Sequence, residues 1–102
     1  MIQHDKIARV APGTAYTTGA NVLSSDITIV TCKVVNISVS VSTAAKLQLY
    51  VNSTALAFNA DTNLTADTLY TFSFIASNSD VINFRFSGNC TIRYFVVSNG
   101  NC

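Results

Sequence analysis

The amino-acid sequence predicts an all-β protein that folds as a single antiparallel β-sandwich. Only 11% of the 102 residues are charged, and the chain has no Glu and a single Met, so the residues that build helix surfaces are scarce. Val, Ile, Thr, Tyr and Phe, which favour strands, are plentiful. Roughly six or seven short alternating segments fit into the last three quarters of the chain, which is the strand density of a sandwich.

The sequence changes character at residue 26. Residues 1–26 hold the only Pro and the only His and show no clear period, so we expect an N-terminal arm that lends one short strand near Ile7–Val10. Residues 27–102 are expected to form the β-sandwich domain, because turns rich in Ser, Asn and Asp separate alternating segments there. The predicted strands are Ile27–Cys32 and Lys33–Ser42, either separate or joined by a bulge, then Lys46–Asn52, Leu56–Asn59, Leu69–Ile75, Val81–Phe86 and Thr91–Ser98.

Alternation within each strand assigns side chains to a core face or an outer face. In the stretch NISVSVS, residues 36–42, every second residue is apolar and the others carry no charge. The predicted core consists of Ile37, Val39, Val41, Leu47, Leu49, Val51, Tyr70, Phe72, Phe74, Ile82, Phe84, Phe86, Ile92, Tyr94 and Val96. The residues predicted to point outward include Ser38, Ser40, Tyr50, Leu69, Arg93, Phe95 and Val97.

The sequence carries no signature of catalysis or of cofactor binding. His4 is the only histidine and lies in the arm, so a Ser-His-Asp or Cys-His arrangement is not expected. The Asp residues fall in the arm or at predicted turns, where isolated carboxylates usually cap the backbone. Asp61 and Asp67 flank one loop but lack the dense spacing of a calcium loop. We therefore predict no enzymatic activity, no metal and no cofactor.

The three cysteines form no C-x-x-C pair and have no partner histidine, which argues against a zinc site. Cys90 and Cys102 flank a predicted strand that carries the chain further than the four residues after it can return, so a bridge between them is not expected. A Cys32–Cys90 bridge stays open if the two strands end together. Free thiols are the leading interpretation, with Cys102 available for intermolecular chemistry.

Charge and hydropathy exclude two further classes. The net charge is +1 and the basic residues are scattered, so no track for nucleic acid is predicted. No apolar run reaches roughly 18 residues, so no membrane span is predicted. The start MIQHDKIARVAPG lacks the apolar stretch of a secretion signal, so we expect cytoplasmic synthesis and unmodified N-x-S/T sequons at Asn36, Asn52, Asn63 and Asn89.

Self-association is the function that the surface pattern favours. A strand whose outer face is Ser and Asn, without Lys or Glu, lacks the usual protection against edge pairing, and a charge-poor surface does not repel its own copies. We expect the arm to grip a neighbour and the outer faces to form subunit contacts. The predicted interface residues are Ile2, Ile7, Val10, Tyr16, Ser38, Ser40, Tyr50, Arg93 and Phe95.

The segment LTADTLYTFSFIASNSDVINFRFSGNCTIRYFVVS, preceded by KLQLYVNSTALAFNA, resembles small β-sandwich or jelly-roll structural proteins of viruses and tailed phages, particularly capsid decoration and spike-like proteins. The resemblance extends over Ile27–Ser98 and consists of strand rhythm, richness in Ser, Thr and Asn, and the start without a leader. It implies a jelly-roll-like homo-oligomer, with a trimer favoured, that attaches to a shell of major capsid protein and has no active site. The expected location is the virion surface.

The alternative is an extracellular glycan-binding or adhesion module, either secreted or held at the cell surface. In that case the loop Asn59–Asp67 and the neighbourhood of Tyr50 would recognise the sugar, because an exposed aromatic ring can act as a stacking platform.

Overall fold

The computed structural model describes residues 4–101, with side chains described from residue 8 onward. Within that range the chain forms nine strands and one short turn of 3₁₀ type, Asn59–Asp61. The strands are β1 (His4–Val10), β2 (Ala15–Tyr16), β3 (Ile27–Thr28), β4 (Lys33–Val41), β5 (Leu47–Val51), β6 (Thr54–Ala57), β7 (Tyr70–Ala76), β8 (Val81–Phe86) and β9 (Cys90–Asn101).

The strands form two antiparallel sheets that enclose one hydrophobic core. The first sheet has the order β1-β9-β4-β7, with β2 also paired to β9, and the second has the order β3-β8-β5-β6. From β2 onward, every connection except the β5–β6 hairpin crosses from one sheet to the other. These crossings give the wrapped connectivity of a jelly roll. The prediction of an all-β sandwich is confirmed.

The core is built by alternation along the central strands. In β4 the four residues Val35, Ile37, Val39 and Val41 are fully buried, and their neighbours in sequence are less so. Leu47 and Leu49 of β5 and Ile82, Phe84 and Phe86 of β8 are buried in the same way. Each such side chain contributes about 1.5–3 kcal/mol of transfer free energy. The predicted core is therefore confirmed for β4, for β8 and for Leu47 and Leu49 of β5, whereas Val51 and the aromatic residues of the edge strand β7 are half-buried.

The predicted faces of β9 were wrong beyond Ile92. In the β4–β9 ladder Val41 pairs with Ile92 and Ser40 pairs with Tyr94, so Arg93 is an extra residue in a β-bulge. Because side chains alternate with a period of two, one extra residue moves everything after it to the opposite face. Tyr94 is consequently exposed, while Phe95 and Val97 are fully buried. Phe95 is thus a core residue and not part of an outer surface.

The described part of the predicted arm belongs to the sandwich. Strand β1 pairs with β9 from the same chain, and Val10, opposite Phe95, is 9% exposed. After the turn at Gly13, whose φ of 90° favours glycine, β2 pairs with the start of β9. Val22 and Leu23 are buried in the common core. Residues before 27 thus pack with the rest of the described chain, because the long strand β9 supplies pairing partners for both β1 and β2.

The turns after β5 explain why the next strand is displaced from its predicted range. Asn52 and Ser53 both have positive φ angles, as the two-residue turn of a hairpin requires, so β6 begins at Thr54. The strand ends at Ala57 because Phe58 turns inward and the next three residues form a left-handed turn. The predicted strand Leu56–Asn59 is therefore shifted by two residues.

Candidate functional site

On one side of the sandwich the two edge strands carry no charged residue, and charge is confined to the loop between them, at Asp61 and Asp67. This charge-free side consists of residues 51–60 and 68–79, which contain the edge strands β6 and β7 of the two sheets. The two edges lie on the same side, because Phe58 stacks on Phe72 of β7 with ring centroids 4.7 Å apart. The opposite edge strand of the first sheet, β1, has three charged residues in its sequence. Charge is therefore distributed unequally between the two sides.

Strand β7 is an edge strand without the usual protection against pairing. It contains no charged residue and no Pro, and its ladder with β4 is regular from Ala76 to Tyr70. Natural edge strands usually carry a Lys, a Pro or a bulge that prevents another strand from pairing. Leu69 and Ile75 on this side are 63% and 70% exposed, and Leu56 within β6 is 50% exposed. The side therefore offers both unpaired backbone groups and apolar side chains.

The outer face shared by β4 and β7, called here the β4–β7 face, continues this uncharged surface. Ser38 lies opposite Thr71, and the Ser73 hydroxyl donates a hydrogen bond to the Asn36 side chain. Ser38 is half-buried, as a residue between two paired strands should be. Ser40 is only 8% exposed and lies opposite Tyr94 beside the bulge. The prediction of Ser40 as an accessible surface residue was wrong.

The other predicted interface residues fall in different places. The Tyr16 ring is half-buried, and its hydroxyl donates a 2.7 Å hydrogen bond to the Val22 carbonyl, so it fastens its own chain. Arg93 is exposed and its Nε lies 2.9 Å from Asp67 Oδ1. Ile2 and the side chain of Ile7 lie outside the described residues. Val10 and Phe95 are interior, which leaves Ser38 as the predicted residue closest in register to β7.

The outer face of the second sheet differs in chemistry. A depression of about 360 Å³ lies there, lined by Asn21, Asp26, Tyr50, Ser53, Asn83 and Arg85 among others, and we call it the Tyr50–Arg85 depression. The Arg85 guanidinium carbon lies 4.2 Å from the centroid of the Tyr50 ring, which is a close cation–π contact. Its Nε donates a 2.9 Å hydrogen bond to Asn21 Oδ1. The guanidinium is thus fixed from two directions.

Asn83 anchors this depression from below. Its side chain is 5% exposed and accepts a hydrogen bond from the backbone N–H of Leu23, while its amide donates to the Leu23 carbonyl and to Asp26 Oδ1. The distance to Asp26 is 2.7 Å. A buried amide must be satisfied in this way, since an unpaired polar group in the interior is costly. Asn83 therefore holds the segment that carries Asp26 against the outer face of β8.

The loop Asn59–Asp67 does not gather its polar residues into one site. Asp61 Oδ1 lies 3.6 Å from Lys46 Nζ, and Asp67 pairs with Arg93 on the first sheet. Asn59 bonds within its own turn, to Thr62. Among residues 4–101 no group of three His, Cys, Asp or Glu side chains is arranged to hold a metal ion.

The cysteines differ from the leading interpretation of free thiols. Cys32 is disulfide-bonded, which corrects that interpretation for Cys32. Cys90 is a free, buried thiol, so a Cys32–Cys90 bridge is excluded. Burial raises the pKa of Cys90 to about 11, and burial together with the nearby Cys90 raises the pKa of Tyr16. Cys102 lies outside the described residues.

The chain matches no protein-family model and no curated protein. In the part of the chain that the structure describes, no helix has the length and hydrophobicity needed to cross a membrane. The surfaces themselves are therefore the basis for a functional proposal.

Proposed function

We propose that this protein is a non-enzymatic structural protein of a virus or phage particle, which forms homo-oligomers and decorates or stabilises a capsid surface. The observation that carries the proposal is the charge-free side, where the edge strand β7 is unprotected and Leu56, Leu69 and Ile75 are exposed along its length. A surface that stays in water throughout its life normally has charges at such an edge. The absence of charges here supports the proposal that another protein covers this side.

A second copy of the chain is the partner that this chemistry favours. A charged partner would find no complementary group on residues 51–60 or 68–79, whereas a copy offers an equally uncharged surface in the β4–β7 face. The β6–β7 edge and the β4–β7 face are different surfaces, and a contact between different surfaces gives a ring when the rotation between copies closes and an open filament when it does not. The resemblance to capsid decoration proteins favours a ring of three.

The free energies of burial and association indicate what a contact between two copies must contain. Covering the exposed parts of Leu56, Leu69 and Ile75 contributes about 1–2 kcal/mol for each residue. Association costs about 4–15 kcal/mol in lost freedom of motion, so these three side chains alone do not hold two copies together. Backbone pairing along β7, or a broad flat contact with the β4–β7 face, must add to them. Both are present on this side of the molecule.

Attachment to a shell requires a second surface, and the expected partner is the major capsid protein. The disulfide at Cys32 supports a final location of the protein in an oxidising environment, because such bonds are rarely maintained in a reducing cytoplasm. The exterior of a released particle is an environment of that kind. The virion surface after cytoplasmic synthesis is therefore the location we propose.

The test compares two identical substitutions on opposite sides of the sandwich. Thr71 of β7 and Thr28 of β3 are both exposed threonines in edge strands, but only Thr71 lies on the charge-free side. We expect the wild-type chain to be oligomeric by light scattering at micromolar concentration. Thr71→Lys should weaken association by about tenfold or more, because it places a charge in the contact.

The Thr28→Lys variant should associate like the wild type. A wild-type chain that is strictly monomeric and does not co-sediment with any particle would overturn the proposed function. Equal weakening by both substitutions would show that added charge alone, and not the charge-free side, governs association.

A further inference from the structure

The Tyr50–Arg85 depression contains hydrogen-bonding groups that the fold does not use. Arg85 binds Asn21 through Nε alone, and its two Nη atoms form no hydrogen bond with any described residue. The Tyr50 and Ser53 hydroxyls and the Asn21 amide nitrogen likewise have no partner among residues 4–101. Exposed groups of this kind bond to water when no ligand is present. Because all of them line one depression, a polar ligand seated there can replace that water at several points at once.

The groups around the depression are also held in position. Arg85 is fixed between the Tyr50 ring and Asn21, and Asp26 is fixed by the buried amide of Asn83. The contributing residues come from three chain segments, around 21–26, 50–53 and 83–85. A side chain that is already fixed loses less conformational entropy when a ligand binds, so the free-energy cost of binding is lower. The depression is therefore preorganised, although it is open to solvent.

The balance of donors and acceptors identifies the class of ligand. The donors are the Arg85 fork, the Asn21 amide and the hydroxyls of Tyr50 and Ser53, while Asp26 supplies the one carboxylate acceptor. A planar guanidinium with both Nη atoms open matches a carboxylate in two parallel hydrogen bonds. The Asp26 carboxylate can accept a hydrogen bond from a hydroxyl group of the ligand. The face of Tyr50 is already covered by Arg85, so flat stacking of a neutral sugar on that face is blocked.

We propose that the Tyr50–Arg85 depression binds a saccharide that carries a carboxylate, with the Arg85 fork on the acid group and Asp26 on a neighbouring hydroxyl. This site specifies the glycan-binding alternative predicted from the sequence and moves it from the loop Asn59–Asp67 to the outer face of the second sheet. The depression includes Ser53 at the margin of the charge-free side, whereas the exposed apolar residues Leu56, Leu69 and Ile75 do not line it. Ligand binding and self-association are therefore measured by different experiments.

The experiment is a titration of the ¹⁵N-labelled full chain, followed by amide chemical shifts. The probes are 3′-sialyllactose, a disaccharide containing glucuronic acid, uncharged lactose, and acetate as the carboxylate alone. At least one of the two acidic saccharides should shift the amides of Asn21, Tyr50 and Arg85 in a saturable way. Lactose and acetate should bind about tenfold more weakly or not at all, because each lacks half of the recognised chemistry.

Two variants test the assignment of roles. Arg85→Lys keeps the charge but loses the planar fork, and Tyr50→Phe keeps the ring beneath the guanidinium but loses the hydroxyl. Each should weaken binding by about tenfold, since each removes hydrogen bonds to the ligand. Arg93→Lys is the matched control, because Arg93 is an exposed arginine on the first sheet, and it should bind like the wild type.

The site is overturned if neither acidic saccharide shifts these amides at ligand concentrations up to about 20 mM, which is a weak but measurable limit. It is also overturned if lactose or acetate binds as tightly as the acidic saccharide, or if both variants bind like the wild type. If Arg85→Lys does not fold, Tyr50→Phe decides, because it leaves the contact between ring and guanidinium in place. Holding the protein concentration constant throughout each titration separates shifts caused by the ligand from shifts caused by self-association.

Discussion

The two outer faces of the sandwich are built from different chemistry although they cover the same core. The β4–β7 face carries Ser, Thr and Asn side chains and continues into an edge without charge. The outer face of the second sheet carries a cation, a carboxylate and a buried amide in one hydrogen-bonded network around Arg85. A uniform uncharged face suits contact with a large flat partner, whereas a fixed constellation of charged groups suits a small polar ligand. The comparison teaches that low overall charge need not be spread evenly.

The largest difference between the faces should appear when a hydrogen-bonding side chain is removed from each. Asn83→Ala leaves the backbone N–H and C=O of Leu23 without their side-chain partners, so we expect a loss of about 2–4 kcal/mol in the free energy of unfolding. Ser38→Ala on the β4–β7 face should change it by less than about 0.5 kcal/mol. Urea denaturation measures both. Equal losses would show that the two faces are equally dependent on their polar groups.

A second comparison lies within the first sheet and tests the effect of the β9 bulge. Ser40 is 8% exposed beside the bulge, whereas Ser38 is half-buried on the same strand. Ser40→Glu should destabilise the fold by about 1–3 kcal/mol, because it brings a carboxylate into a poorly solvated position. Ser38→Lys should leave the unfolding midpoint close to the wild-type value, since its long side chain can reach water.

Thermal denaturation at neutral pH distinguishes these two substitutions. Equal melting temperatures would mean that Ser40 is as accessible as Ser38, and the description of the bulge would then be incorrect.

The third effect concerns the buried Cys90 thiol in the interior beneath the first sheet. The pKa of Cys90 is raised by burial to about 11, from an ordinary value of 9.0. A raised pKa means that the folded state holds its proton more tightly than the unfolded state, so this stabilisation is present below pH 9 and is lost as pH rises from about 9 to 11. Urea midpoints measured across this range should fall for the wild type.

In Cys90→Ala the fall should be smaller, because the thiol no longer titrates. In this variant Tyr16 keeps the rise in pKa that burial causes and loses the rise that Cys90 causes, which also makes the fall smaller. An identical pH dependence in the two proteins would contradict the burial of Cys90.

Sequence patterns predicted the fold class and the core where alternation was undisturbed. Ile37, Val39 and Val41 were assigned correctly because β4 pairs on both sides and keeps its period from Lys33 to Ser40. The faces of β9 were not predictable from alternation, because a single extra residue at Arg93 reverses the phase. The run of Tyr94, Phe95, Val96 and Val97, without a polar residue between them, was the one local signal of that irregularity.

The Tyr50–Arg85 depression could not be located from the sequence. Asn21 and Arg85 are 64 positions apart, and their contact depends on how the segment before β3 lies across β8. Asn83 reads as an outward polar residue between Ile82 and Phe84, and it is outward, but the segment around Leu23 covers it. The sequence did predict Tyr50 as a surface residue whose ring could stack on a sugar. It did not predict that the Arg85 guanidinium lies over that ring.

The central claim, that a second copy covers the charge-free side, is tested most directly by hydrogen exchange of the β7 backbone amides at several protein concentrations. Amides of an edge strand that point away from the sheet exchange readily in a monomer, since water is their partner. We predict that protection of the outward amides of β7 rises with protein concentration, while the amides of β3 on the opposite edge do not change. Rapid, concentration-independent exchange along β7 in a chain that is nevertheless oligomeric would contradict it.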